Sequence, residues 1–210
     1  MVRYLNMVYI VDPNSYNKKQ AFEDAQTLVR EFLDLNSLSH PVSMSDVDIF
    51  LNSTPSNMRG YGLYDFKTTR LIVNVKKSRT PVKTPGFSWS YTGYKADLTI
   101  PGILCHEIGH HTHNMRERDL GVQPIKELLK SIRANEKAVS SYEPNVYETF
   151  AEMTKLFVLN PNLLKLGRPL RWSFLTQDVQ LKPLHDEPWK NVLVNAHEKL
   201  IAAAEKWTHT

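Results

Sequence analysis

His106-Glu107-Ile108-Gly109-His110 sets two imidazoles four residues apart, with a carboxylate next to the first. On a helix, residues i and i+4 share a face, so both histidines can reach one ion. This is the HExxH pattern of a catalytic zinc, in which the glutamate stands beside the ion's water as a base. Such a zinc takes a third protein ligand and keeps one position for water. The extended HExxHxxGxxH pattern needs a histidine at position 116, where this chain has Arg116. His111 projects about 100° away from the His106/His110 face. His113 lies near that face but one turn further on, so a straight helix does not easily wrap it onto the same ion.

A better third ligand lies downstream, in Tyr142-Glu143-Pro144-Asn145-Val146-Tyr147-Glu148-Thr149-Phe150-Ala151-Glu152-Met153. Glu148 and Glu152 share one face of a second helix. One can bind the metal while the other accepts a hydrogen bond from the outer nitrogen of a ligand histidine, fixing the ring and raising its basicity. Taken alone, Asn145 with Glu148 also reads as a helix cap with its partner carboxylate, and Glu152 with Lys155 as an exposed charge pair. The HExxH upstream shifts the balance to metal ligation by Glu148. Cys105 projects about 100° from His106 and is expected in the core.

Elements must position these groups. Residues 3–11 read as a strand, and apolar positions from Phe22 to Leu35 recur at helical spacing over 17–36. Residues 47–51, 61–66 and 70–75 read as strands, with Lys67-Thr68-Thr69 as a hairpin turn. An irregular stretch, 78–97, carries Phe87, Trp89, Tyr91 and Tyr94. The motif helix is expected from Thr99, a cap with Pro101 in the first turn, to Met115 or a little beyond. Further helices are expected over 124–135, 145–160 (stopped by Pro161) and 188–207, with short helical pieces over 162–177. The fold class is therefore α+β: a small mixed sheet in a strand-rich part (1–98), then a helical part (99–210), within one domain.

Composition bounds the rest. The chain has 210 residues, 41% hydrophobic and 23% charged, which suits one soluble domain. No run approaches the ~18 apolar residues of a membrane span. The first residues lack a signal-peptide pattern, and the single cysteine excludes an intrachain disulfide, so cytoplasmic residence is the default. A net charge of +4 comes with scattered basic residues, and the clusters at 76–83 and 168–171 read as a solvated rim; a nucleic-acid surface is the less favoured alternative.

HEIGH followed by a Glu-Thr-Phe-Ala-Glu helix resembles the gluzincin metallopeptidases, most closely the lethal-factor-like and Pro-Pro endopeptidase branch. The resemblance covers residues 101–157. It implies a zincin-like metallopeptidase domain holding one Zn2+ per chain through His106, His110 and Glu148, with Glu107 as general base and Glu152 holding a ligand histidine. That branch carries a transition-state tyrosine seven residues before the ligand glutamate. Here Ser141 stands at that position and Tyr142 one later, so Tyr142 is a candidate oxyanion donor and His113 a second contender, while Tyr147 points elsewhere.

Two imidazoles and one carboxylate leave zinc net positive, enough to bring the pKa of its water to ~7. Glu107 can take that proton and pass it to the leaving nitrogen. The expected substrate is a protein or peptide, extended along an edge strand for which 70–75 is the candidate, with 87–94 as cleft lining, flap or core patch. A preference for proline-flanked sites follows from the branch by analogy alone. Alternatives are a catalytically silent zinc-binding protein and a peptidase acting on DNA-bound proteins. The compact length also suits a phage-encoded or virion-associated peptidase; oligomeric state is not readable.

Overall fold

Phe22, Ala25, Leu28, Val29, Phe32 and Leu33 recur every three or four residues and are all buried, which makes one face of helix α1 (Lys18–Leu35) a wall of the core. Burying each large side chain contributes roughly 1.5–3 kcal/mol relative to leaving it in water. The computed structural model describes residues 18–38, 43–44, 60–74, 77–78 and 98–186. The expected strands 3–11 and 47–51, the helix 188–207, and the aromatic stretch 87–94 lie outside the described residues.

Three short strands form one sheet in the order β1 (Ser43–Met44), β3 (Arg70–Val73), β2 (Gly62–Asp65). β1 runs parallel to β3, pairing Ser43 with Arg70, and β2 runs antiparallel to it, pairing Gly62 with Val73. The 67–69 turn forms as expected. Asp65 accepts hydrogen bonds from the Lys67 amide at 2.9 Å and the Thr68 hydroxyl at 2.7 Å, and Thr69 takes φ 53°. The expectation that 70–75 is the edge strand is corrected. β3 is central, because β1 supplies a parallel partner that local patterning could not show, and β2 is an edge among the described residues.

The motif helix α2 (Ile100–Leu120) packs against α1, β2, β3 and the two helices that follow it. Thr99 caps it, accepting from the Gly102 amide at 3.2 Å, and Pro101 occupies the first turn. The helix continues past Met115 to Leu120 because no breaker intervenes before Gly121, which has φ 88°. Every residue from Ile100 to Gly109 is buried, as befits a helix surrounded on all sides.

Helix α3 (Val122–Asn135) buries Ile125, Leu129 and Ile132, and α4 (Val146–Leu159) is buried from Thr149 onward. Asn145 caps α4, its side-chain oxygen accepting from the amides of Tyr147 and Glu148 at 2.9 and 3.0 Å. The expected short helical pieces are α5 (Pro161–Gly167), α6 (Pro169–Ser173) and a π-helical turn over Phe174–Asp178. One apolar core takes side chains from the sheet and the helices alike, with Phe32 of α1 edge-on to Phe157 of α4 at 6.3 Å. The architecture is mixed, mostly helical with a small sheet, consistent with α+β.

Helices α2 and α4 approach each other closely in this core. A Cβ at Gly109 would lie 2.5 Å from Ala151 Cα and 2.8 Å from Ala151 O, and both are backbone atoms that cannot rotate aside. Glycine at 109 and alanine at 151 are what allow the two helices to meet. Gly109→Ala should therefore force them apart, lowering stability by about 1–3 kcal/mol. A fall in the urea midpoint at unchanged slope would show it; an unchanged midpoint would mean that the helices are not held at contact distance.

Candidate metal centre

Because α2 and α4 touch at Gly109 and Ala151, the faces carrying His106/His110 and Glu148/Glu152 oppose each other. The Nε2 atoms of His106 and His110 lie 3.1 Å apart. Glu148 Oε2 lies 3.1 Å from His106 Nε2 and 3.6 Å from His110 Nε2. A tetrahedral ion with bonds of ~2.0–2.1 Å has edges of roughly 3.3–3.4 Å between its ligands, and these three distances bracket that value. Glu148 Oε2 is buried and faces the ring nitrogens of both histidines. Without an ion, the charge of this carboxylate is matched only by imidazole protons, and a cation between the three atoms would take their place. His106, His110 and Glu148 form a group that can hold a metal ion.

Glu152 does not reach this point. Its Oε1 lies 2.7 Å from His106 Nδ1, on the far side of the ring, and its Oε2 accepts from Lys155 Nζ at 2.6 Å. With the proton on Nδ1 directed at Glu152, Nε2 is left for an ion. The exposed Glu152–Lys155 pair that the sequence admitted is instead buried, with the two residues 1% and 6% exposed. Asn145 caps the helix, yet Glu148 also faces the histidines, so capping and ligation coexist.

The charges in the cluster are strongly coupled. Burial alone would lower the pKa of His106, but Glu148 and Glu152 outweigh it and raise it to about 9. Burial opposes ionisation of Glu148, but the two imidazoles prevail and hold it at about 2. Glu152 is likewise held at about 2 against burial, by Lys155 and then His106. Glu107 is raised, burial outweighing the pull of His106 and His110.

Glu107 is 6% exposed and presses against the start of β2, where a Cβ at Gly62 would lie 2.3 Å from its Oε1 and 2.8 Å from Ile103 Cγ2. Only glycine leaves room for that carboxylate under the strand. The Tyr142 ring stands beside His106, centroids 5.7 Å apart, and is half exposed. Its hydroxyl pKa is raised by burial and by Glu148, Glu107 and Glu152.

His113 is elsewhere. It stacks on Phe150 at 4.6 Å and 12°, touches Tyr147 at 5.2 Å, and is 2% exposed. Burial, then the charge of His110, lowers its pKa to about 4, so it is neutral even with Glu117 at 3.3 Å. Its ring and ion-pair partners are Phe150, Tyr147 and Glu117, so the structure does not bring it into the His106/His110/Glu148 group, where it was a contender for the oxyanion. His111 accordingly points away from the cluster. Its Nδ1 faces the Tyr64 hydroxyl at 3.1 Å and its Nε2 the Leu38 carbonyl at 3.1 Å, tying α2 to β2 and to the end of α1.

The pKa of His106 fixes the sign of the metal's pH dependence. Below about 9 the metal-free ring carries a proton that an ion at Nε2 must displace. Affinity should therefore rise by roughly tenfold per pH unit between about pH 7 and about pH 9, with about one proton released per ion bound. Calorimetric titration of zinc in buffers of different ionisation enthalpy checks this; proton-neutral binding at about pH 7 would contradict it. No protein-family model matches this chain, and neither the curated proteins nor the solved structures contain a significant match to it.

Proposed function

We propose that this chain is a zinc-dependent endopeptidase with a zincin-like fold, binding one Zn2+ through His106, His110 and Glu148. The observation that carries the reading is the convergence of those three ligand atoms with the buried Glu107 carboxylate next to His106 and facing the edge strand. Two imidazoles and one carboxylate are the donor set of catalytic zinc sites that retain an open position. A purely structural site has no use for a buried base beside its ligands.

When bound, zinc supplies Lewis acidity that acidifies water and polarises a carbonyl. The residues do the rest. Glu107, its pKa raised by burial, accepts a proton as water attacks the carbonyl carbon of the scissile peptide. It then returns that proton to the departing amide nitrogen, and the C–N bond breaks. Tyr142, half exposed beside His106, donates its hydroxyl proton in a hydrogen bond to the developing oxyanion. Glu152 holds His106 in the tautomer and ring orientation that keep Nε2 available. The substrate is a protein or peptide.

Zinc analysis of the dialysed protein should give one ion per chain, lost in His106→Ala. Glu107→Gln should keep the ion and lose cleavage of a denatured-protein peptide pool by roughly 10²–10⁴-fold. Zinc held at full stoichiometry with no cleavage of any pool would instead mark a silent binding protein. Gly62→Ala should also keep zinc but displace Glu107, lowering kcat by about tenfold or more, because a small misplacement of a catalytic group is costly. Undiminished kcat in that variant would show that Glu107 acts from another position.

A further inference from the structure

Residues 136–145, between α3 and α4, carry no helix or strand, yet buried charge fixes them at several points. Glu143 folds back under its own loop, its Oε1 accepting from the amides of Val139 at 2.7 Å and Ser140 at 3.3 Å. Its other oxygen accepts from Arg171 Nη1 at 2.9 Å. Arg168 donates from Nε and Nη2 to the Ala138 carbonyl at 3.1 and 3.0 Å. Glu136 reaches the other way, accepting from the amides of Leu170 and Arg171 at 2.8 and 3.1 Å. Both arginines are 1% exposed. Directly before Glu143, Tyr142 projects half exposed beside His106, its amide donating to Ser140 Oγ at 3.0 Å.

A buried ion pair is a poor source of stability, since desolvation offsets most of its attraction, and apolar replacements are often neutral or better. A buried guanidinium held between two carboxylates does fix geometry: Arg171 donates from Nη1 to Glu143, and its Nε lies 3.4 Å from Glu136 Oε2. We infer that Arg171 is a positioning residue: through Glu143 it locks the 136–145 loop in the one arrangement that holds the Tyr142 ring at the metal cluster. The inference rests on the proposed zinc site, and it assigns to α6 a part in catalysis although α6 supplies no ligand.

The test uses the full chain labelled with 3-fluorotyrosine and loaded with Co2+, whose visible absorption reports occupancy. Tyr142→Phe assigns the Tyr142 fluorine resonance among the nine tyrosines. In the wild type that resonance should shift strongly on cobalt loading. Arg171→Met alone would strand the Glu143 carboxylate and can unfold the protein, so the decisive variant is Arg171→Met with Glu143→Leu, in which Glu136 loses its 3.4 Å ion pair but keeps the Leu170 and Arg171 amides, checked for native circular dichroism. This folded variant should keep the cobalt absorption while the Tyr142 shift collapses, and Arg171→Lys should restore part of it. Its kcat on a peptide pool should fall by about 10–100-fold at similar KM, approaching the roughly 10²–10³-fold loss expected of Tyr142→Phe.

A Tyr142 shift unchanged in the folded double variant overturns the inference. So does a wild type with cobalt absorption but no Tyr142 shift. Absence of cobalt absorption in the wild type fails the metal reading itself and removes the basis of the inference. A shift lost as expected in a protein that cuts nothing supports the positioning role while failing the peptidase reading.

Discussion

Two helix backbones touch where Gly109 faces Ala151, and the metal cluster depends on that contact. Side chains on helices separated by the usual 8–10 Å would leave imidazoles and carboxylates reaching across a wider gap. With no side chain between them, His106 and His110 on one helix come within 3.1 to 3.6 Å of Glu148 on the other. Chemistry is thus specified by what is missing at 109 as much as by what is present at 106 and 110. The same logic recurs at Gly62, where the absence of a side chain leaves β2 directly against Glu107.

Close packing has an electrostatic consequence. His106, Glu107 and Glu152 are all below a tenth exposed, and Lys155 with them. Charges so far from water persist only when each is matched. The match here is a chain of contacts, Lys155 to Glu152 to His106 to Glu148, with one end at a buried ammonium and the other at the carboxylate that faces both imidazoles. Glu148, Glu152 and Lys155 repeat along one face of α4, so a single helix carries a ligand, the group that orients another ligand, and the cation that balances it.

Much of this was legible in the chain because it is local. The i, i+4 spacing of His106/His110 and of Glu148/Glu152 is fixed by helical geometry, and Thr99, Asn145 and Pro161 mark helix ends through their own backbone chemistry. What stayed hidden depends on partners distant in sequence. β3 read as an edge because its parallel neighbour β1 lies more than twenty residues away and is only two residues long. His113 fell near the metal face by helical angle, but stacking on Phe150, from another helix, decided its place. Glu143 and Arg171 are 28 residues apart, and nothing in either neighbourhood announces their pairing.

The burial of α2 leaves the cluster with unequal walls. His106 is sealed beneath by Glu152 and Lys155, and every residue from Ile100 to Gly109 is enclosed by the core. The side chains of His106, His110 and Glu148 are 11%, 13% and 20% accessible, so the carboxylate is the most open of the three, and Tyr142 stands half exposed nearby. Traffic with bulk solvent is therefore one-sided: the cluster opens past Glu148 and Tyr142, while both imidazoles sit about equally far in. A chelator must come in by that same side, past the carboxylate, before it meets either ring.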